Sequence, residues 1–158
     1  MNEKKKSMRQ SADEILTELA YEDTNIRLII VDIGEFPLFE KNHADKFLNI
    51  GVAESNAPGI AAGLASEGMR VYIYGVSGFL LYRAFEQIKI SIAYWKQPVT
   101  ILGSGFGWKY SFIGRGHFTP DDIAIMRLMP NMEILTPCKE ETLKSMLYKK
   151  TDNPRYYD

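Results

Sequence analysis

The chain has 158 residues, 46% of them hydrophobic and 25% charged, which fits one domain with an ordinary core and leaves no bias toward disorder beyond its ends. A formal net charge of −1 excludes general affinity for nucleic acid or acidic membranes. No apolar run reaches the ~18 residues of a membrane span, and no secretory apolar segment opens the chain, so a soluble cytoplasmic domain is expected. The single cysteine, Cys138, excludes an internal disulfide, and two histidines, His43 and His117, leave little scope for a zinc centre.

Residues 1–6 carry three consecutive lysines and are expected to form a frayed, solvated tail, with one domain over 7–158. Ser7-Met-Arg-Gln10 has the spacing of a capping box, and Ala12, Ile15, Leu16 and Leu19 repeat at helical spacing behind it. Arg27 to Ile33 is a nearly unbroken apolar run, the pattern of a parallel strand buried on both faces, with Asp32 and Gly34 at its carboxyl edge. Glu35 to Lys46 is mixed and polar, and reads as an irregular loop leading to a second strand at Phe47 to Ile50. Gly51 stops that strand, Glu54 follows, and a helix rich in Gly and Ala runs to a C-cap at Gly68. Its bare surface, with Gly59 and Gly63 each costing up to ~1 kcal/mol relative to Ala, predicts close approach of a neighbouring backbone or ligand.

Arg70 to Val76 is a third strand, Leu80 to Trp95 a long amphipathic helix, and Val99 to Leu102 a fourth strand. Gly103 to Gly116 holds five glycines and four aromatics, a loop long enough to imply function or poor order. Thr119-Pro-Asp-Asp122 starts a helix reaching about Leu128, Glu133 to Leu135 is a fifth strand, and Thr136-Pro137 starts a helix ending near Lys149. Cys138 is then a small buried residue at that helix's start, and Arg155 to Tyr157 a last short strand. Strands and helices alternate, which predicts a three-layer, doubly wound, mostly parallel α/β sheet with helices on both faces.

In such sheets the ligand lies beyond the carboxyl ends of the strands. Asp32, Glu54, Ser77 to Phe79 and Gly103 to Gly107 fall there, which suits a flat, mostly apolar group that needs one strong hydrogen bond. No GxxxxGK[ST] loop occurs, and no GxGxxG follows the first strand, so nucleoside triphosphates and nicotinamide cofactors are poorly supported.

The segment from Asn49 to Lys89, NIGVAESNAPGIAAGLASEGMRVYIYGVSGFLLYRAFEQIK, resembles the pyrimidine-binding domain of the transketolase family, which includes deoxyxylulose-phosphate synthase. The Gly-rich loop ending in GRGH and the later LMPNMEILTPCKEET extend the likeness over about residues 27 to 150. The resemblance implies thiamine diphosphate as cofactor. It implies that Glu54 is catalytic, bonding N1′ of the aminopyrimidine and so promoting the imino tautomer of the 4′-amino group, which removes the C2 proton of the thiazolium. An aromatic stacks on that ring in the family; aligned on Arg83 the position is Leu80, and shifted by one it is Phe79, which is equally readable as a core residue. Arg83 and Asp32 match family residues near the cofactor, with a surface ion pair and a strand-end cap as their plainer readings.

His117 corresponds to the family's substrate-facing histidine, but Ile113 and Gly116 stand where the family has Asp and Thr, so an unusual sugar substrate is implied. The Gly-Asp-Gly…Asn motif that holds magnesium and the diphosphate is absent, so no metal site is expected here; both groups are assigned to a partner diphosphate-binding domain or subunit. The chain stops where the pyrimidine domain ends, as an excised domain or one subunit of a split enzyme would. A homodimer or heterotetramer transferring a two-carbon ketol unit between sugars is therefore expected. The alternative is a non-catalytic domain of the same fold that serves as a dimerisation or regulatory partner.

Overall fold

The computed structural model describes residues 6–32, 36–105, 107–114 and 116–158. The expected tail lies outside the described residues except for Lys6, which pairs with Glu14 and Glu140, and Gly34 lies outside them too.

Among the described residues six strands form one all-parallel sheet: β1 (Ile26–Ile30), β2 (Phe47–Asn49), β3 (Arg70–Val76), β4 (Val99–Ser104), β5 (Glu133–Leu135) and β6 (Arg155–Tyr157). Their spatial order is β2-β1-β3-β4-β6-β5, so the last strand is inserted between β4 and β5. Ile29, Ile73, Ile101, Tyr156 and Ile134 stand side by side in one row across the sheet. Side chains alternate faces along each strand. Ile29, Ile73 and Ile101 accordingly enter one core, and Leu28, Tyr72 and Leu102 the other. This double burial explains why the strands are apolar runs rather than alternating patterns.

One face is covered by α1 (Met8–Glu22) and α7 (Glu140–Tyr148), with α2 (Pro37–Asn42) packed on α1. The other carries α3 (Ala57–Ser66), α4 (Ser77–Arg83), α5 (Phe85–Gln87) continued by a π-helical segment (Ile88–Tyr94), and α6 (Asp122–Met126). The result is the three-layer, doubly wound α/β architecture that the alternation predicts. None of the described helices is long and apolar enough to cross a membrane.

The capping box of α1 forms as expected: Gln10 N–H donates to Ser7 Oγ at 3.3 Å and Ser7 N–H to Gln10 Oε1 at 2.9 Å. At the end of α3, Gly68 N–H bonds the Ala65 carbonyl and Met69 N–H the Leu64 carbonyl. That is a Schellman closure, and Gly68 adopts the φ of +83° it requires.

Three expectations need correction. The segment expected as an irregular loop contains α2 and a 3-10 turn, Ala44–Lys46. Buried Asp13 of α1 accepts from the amides of Leu38 and Phe39 at 3.1 and 2.9 Å, supplying from another helix the cap that the local sequence lacks. The long helix expected from Leu80 starts three residues earlier and breaks at Ala84, whose φ of −117° and ψ of 19° leave the helical region. Cys138 is exposed rather than buried, because α7 begins at Glu140 and leaves Cys138 on the connection before it.

Candidate cofactor site

β3 passes into α4 without a loop: the strand ends at Val76 and the helix begins at Ser77. The joint is fixed from below. The Tyr156 hydroxyl gives its one proton to Asp122 Oδ2 at 2.8 Å, and the buried Ser77 hydroxyl is hydrogen-bonded to the Tyr156 oxygen at 3.2 Å. Burial pushes the Tyr156 phenol far above its ordinary value, so it remains a neutral donor. Gly103 lies opposite, where an added Cβ would come within 2.7 Å of the Tyr156 hydroxyl, so only glycine lets β4 pass. The Tyr82 hydroxyl donates to Asp121 and ties α4 to the start of α6; burial and that carboxylate push its pKa up to about 12.

This anchored helix presents Phe79 and Arg83 to the turn that carries Glu54. Glu54 lies between β2 and α3 and is 5% exposed. Arg83 Nη1 donates to Glu54 Oε1 at 2.8 Å, while Ser55 Oγ donates to the Arg83 main-chain carbonyl at 2.8 Å. Glu54 and Ser55 thus clip the end of α4 twice. The Arg83 Cζ also lies 4.1 Å from the Phe79 ring centroid, in cation–π range. His117 packs against the same ring, 5.2 Å between centroids and 64° between planes. The neck of its loop is closed by paired main-chain bonds between Gly107 and Thr119, at 2.9 and 3.2 Å.

Of the residues expected at the site, the structure thus brings together Glu54, Arg83, Phe79 and His117. Leu80 is 1% exposed and packs in the core, where a Cβ on Gly75 would meet its side chain at 3.0 Å; in a helix starting at Ser77 it is Phe79 that faces the turn. Asp32 is exposed beyond the end of β1 in the left-handed region, with φ of 57°. Ser55 was not among the expected residues; a hydroxyl next to the candidate acid at a strand-to-helix turn was the available signal. A cavity of about 110 Å³ opens on the opposite face, lined by Tyr74, Leu102, Leu143 and Tyr157, and includes none of the four clustered residues. No group of three or more metal-ligating side chains occurs among the described residues.

The outer side of α3 departs from expectation in an informative way. Ala57, Ala61 and Ala65 turn inward and are buried, but Gly59 and Gly63 are exposed, and a Cβ on either would meet nothing within 4 Å. The bare ridge therefore faces away from this chain's own core.

Comparison with known proteins gives a consistent result. A family model described as transketolase, pyrimidine binding domain, matches residues 4–156. The chain is 36% identical over 149 residues to one of the apulose-4-phosphate transketolase subunits of Phocaeicola vulgatus, covering 92% of this chain and 48% of that protein. It is 31% identical over 137 residues to 1-deoxy-D-xylulose-5-phosphate synthase of Symbiobacterium thermophilum, covering 85% of this chain and 21% of that protein. A solved structure described as a split gene transketolase, inactive beta4 tetramer, superposes with a TM-score of 0.82 at 30% identity, over 94% of this chain and 49% of that one. The chain thus spans half or less of these relatives.

Proposed function

Because the chain belongs to the transketolase pyrimidine-binding domain family, we propose that it supplies the aminopyrimidine half of a thiamine-diphosphate site. The enzyme would be a transketolase-like transferase of the cytoplasm, moving a two-carbon ketol unit between sugars. The observation that carries this reading is that buried Glu54 and the half-buried ring of Phe79 both contact one side chain, Arg83. A flat cation with N–H donors, the Arg83 guanidinium, already bonds that carboxylate and lies against that ring. The two groups therefore suit a flat nitrogen heterocycle with one N–H donor.

The bound cofactor would supply the carbon acid that takes up and releases the ketol unit. Glu54 would accept a hydrogen bond from N1′ and hold a proton there, in surroundings dry enough to strengthen that bond. Phe79 would orient the ring by stacking, Leu80 would act from behind it in the core, and Asp32 would border the site. His117, against Phe79, would face the sugar. The domain would occupy residues 7–158. Magnesium and the diphosphate would be held by a diphosphate-binding domain or subunit, in a homodimer or heterotetramer. That assembly gives the exposed Gly59–Gly63 ridge its use, as the surface against which a second chain packs closely.

The competing reading, a non-catalytic association domain, draws on the likeness to an inactive beta4 tetramer and on Ile113 and Gly116 in the His117 loop. Glu54→Gln in the complex reconstituted with the diphosphate-domain partner separates the two. General acid–base roles of this kind contribute about 10²–10⁴-fold, so turnover should fall by that order with the fold intact. Turnover surviving the substitution would sink the catalytic reading.

A further inference from the structure

Arg83 occupies both groups that the cofactor ring would need. Its Nη1 bonds Glu54 Oε1 at 2.8 Å and its Cζ stands 4.1 Å from the Phe79 centroid. A guanidinium is planar, cationic and edged with N–H donors, and it stacks on aromatic faces. An aminopyrimidine carrying a proton on N1′ offers the same combination: a flat face for Phe79 and an N–H for Glu54. Resting on the thiamine-diphosphate reading, we propose that Arg83 is a positioning residue that holds Glu54 and Phe79 ready and must leave both when the ring is taken up.

The geometry allows such an exchange. The Arg83 side chain is 47% exposed while that of Glu54 is 6% exposed, so the cation can swing into water and the carboxylate cannot. Arg83 is the last residue of α4, before the break at Ala84. Its backbone stays tied through the bond from Ser55, which leaves the side chain as the moving part. A buried carboxylate without a partner is costly. Arg83 meets that need without the cofactor, and the ring would meet it when bound. One partner replaces the other, and Glu54 is never left alone.

The proposal predicts an unusual sign. An arginine that contacts the cofactor would weaken binding when removed, and an arginine in a merely structural ion pair would leave affinity unchanged. A competitor, once removed, strengthens it. The test is calorimetric titration of thiamine diphosphate with magnesium into the complex with the diphosphate-domain partner, for wild type, Arg83→Met and Arg83→Lys. Arg83→Met should bind about tenfold tighter, from loss of one cation–π contact and one ion pair. Arg83→Lys should fall between, because an ammonium does not stack flat while donating sideways.

A nitrogen-detected NMR titration of the unmodified complex gives the same answer without a substitution: the Arg83 Nε–H signal should move toward that of a free arginine at saturation. Wild-type binding with equal or weaker binding by Arg83→Met, or an unmoved Arg83 signal, overturns the proposal and leaves the thiamine-diphosphate reading intact. Absence of binding in both wild type and Arg83→Met overturns the thiamine-diphosphate reading and this proposal together.

Discussion

Arg83 and Glu54, 29 positions apart, are joined by a 2.8 Å ion pair across the carboxyl edge of the sheet. The pair links the turn after β2 to the end of α4. It brings a buried acid within reach of a half-buried aromatic, and the site follows from that link.

The two stacking candidates separate by what each substitution should damage. Phe79→Ala should weaken thiamine-diphosphate binding by about three- to tenfold, less than a full stacking loss, because it also frees Arg83 from its cation–π contact. Leu80→Ala should instead cost about 2–5 kcal/mol of stability through the cavity it leaves, with affinity unchanged in the folded fraction. Thermal melts and calorimetry on both variants check this. Reversed effects would place Leu80, not Phe79, against the ring.

The difference between those neighbours marks the limit of what sequence patterns convey. β1, β3 and β4 were legible because strands buried on both faces must be continuously apolar, and α1 announced itself through Ser7 and Gln10. The register of α4 was not legible. It depends on the helix starting directly at Ser77, which Tyr156 and Gly103 enforce from distant parts of the chain. α2 was missed for the same reason, since its cap, Asp13, comes from another helix. Glu54 stood out locally; its pairing with Arg83 is a tertiary fact.

The outer ridge of α3 gives a prediction about assembly. Gly63→Leu should not destabilise the chain, since nothing in it lies against that position, and leaving glycine should gain up to ~1 kcal/mol of helix stability. It should block association with a second chain. Sedimentation of wild type and variant, each with the candidate partner, reads the result. Undiminished assembly by the variant would place the interface elsewhere.

At the opposite edge of the sheet, Arg155 on β6 donates to Glu133 on β5 at 2.8 Å. The hydrogen bond from Arg155 holds the Glu133 carboxyl below its ordinary value of 4.5. A depressed carboxylate adds stability that is present above its unfolded pKa and lost as pH falls through its folded one. Wild type should therefore melt higher than Glu133→Gln at neutral pH, and the two should converge as pH drops below about 4.5. Parallel curves across pH 3 to 7 would show that the pair does not contribute through its charge.

The most direct test of the whole account is calorimetric titration of thiamine diphosphate with magnesium into this chain alone and into its mixture with the diphosphate-domain partner. The account predicts heat of binding only in the mixture, and weaker binding in Glu54→Gln. No binding in either setting, or undiminished binding by the Glu54→Gln mixture, would contradict it.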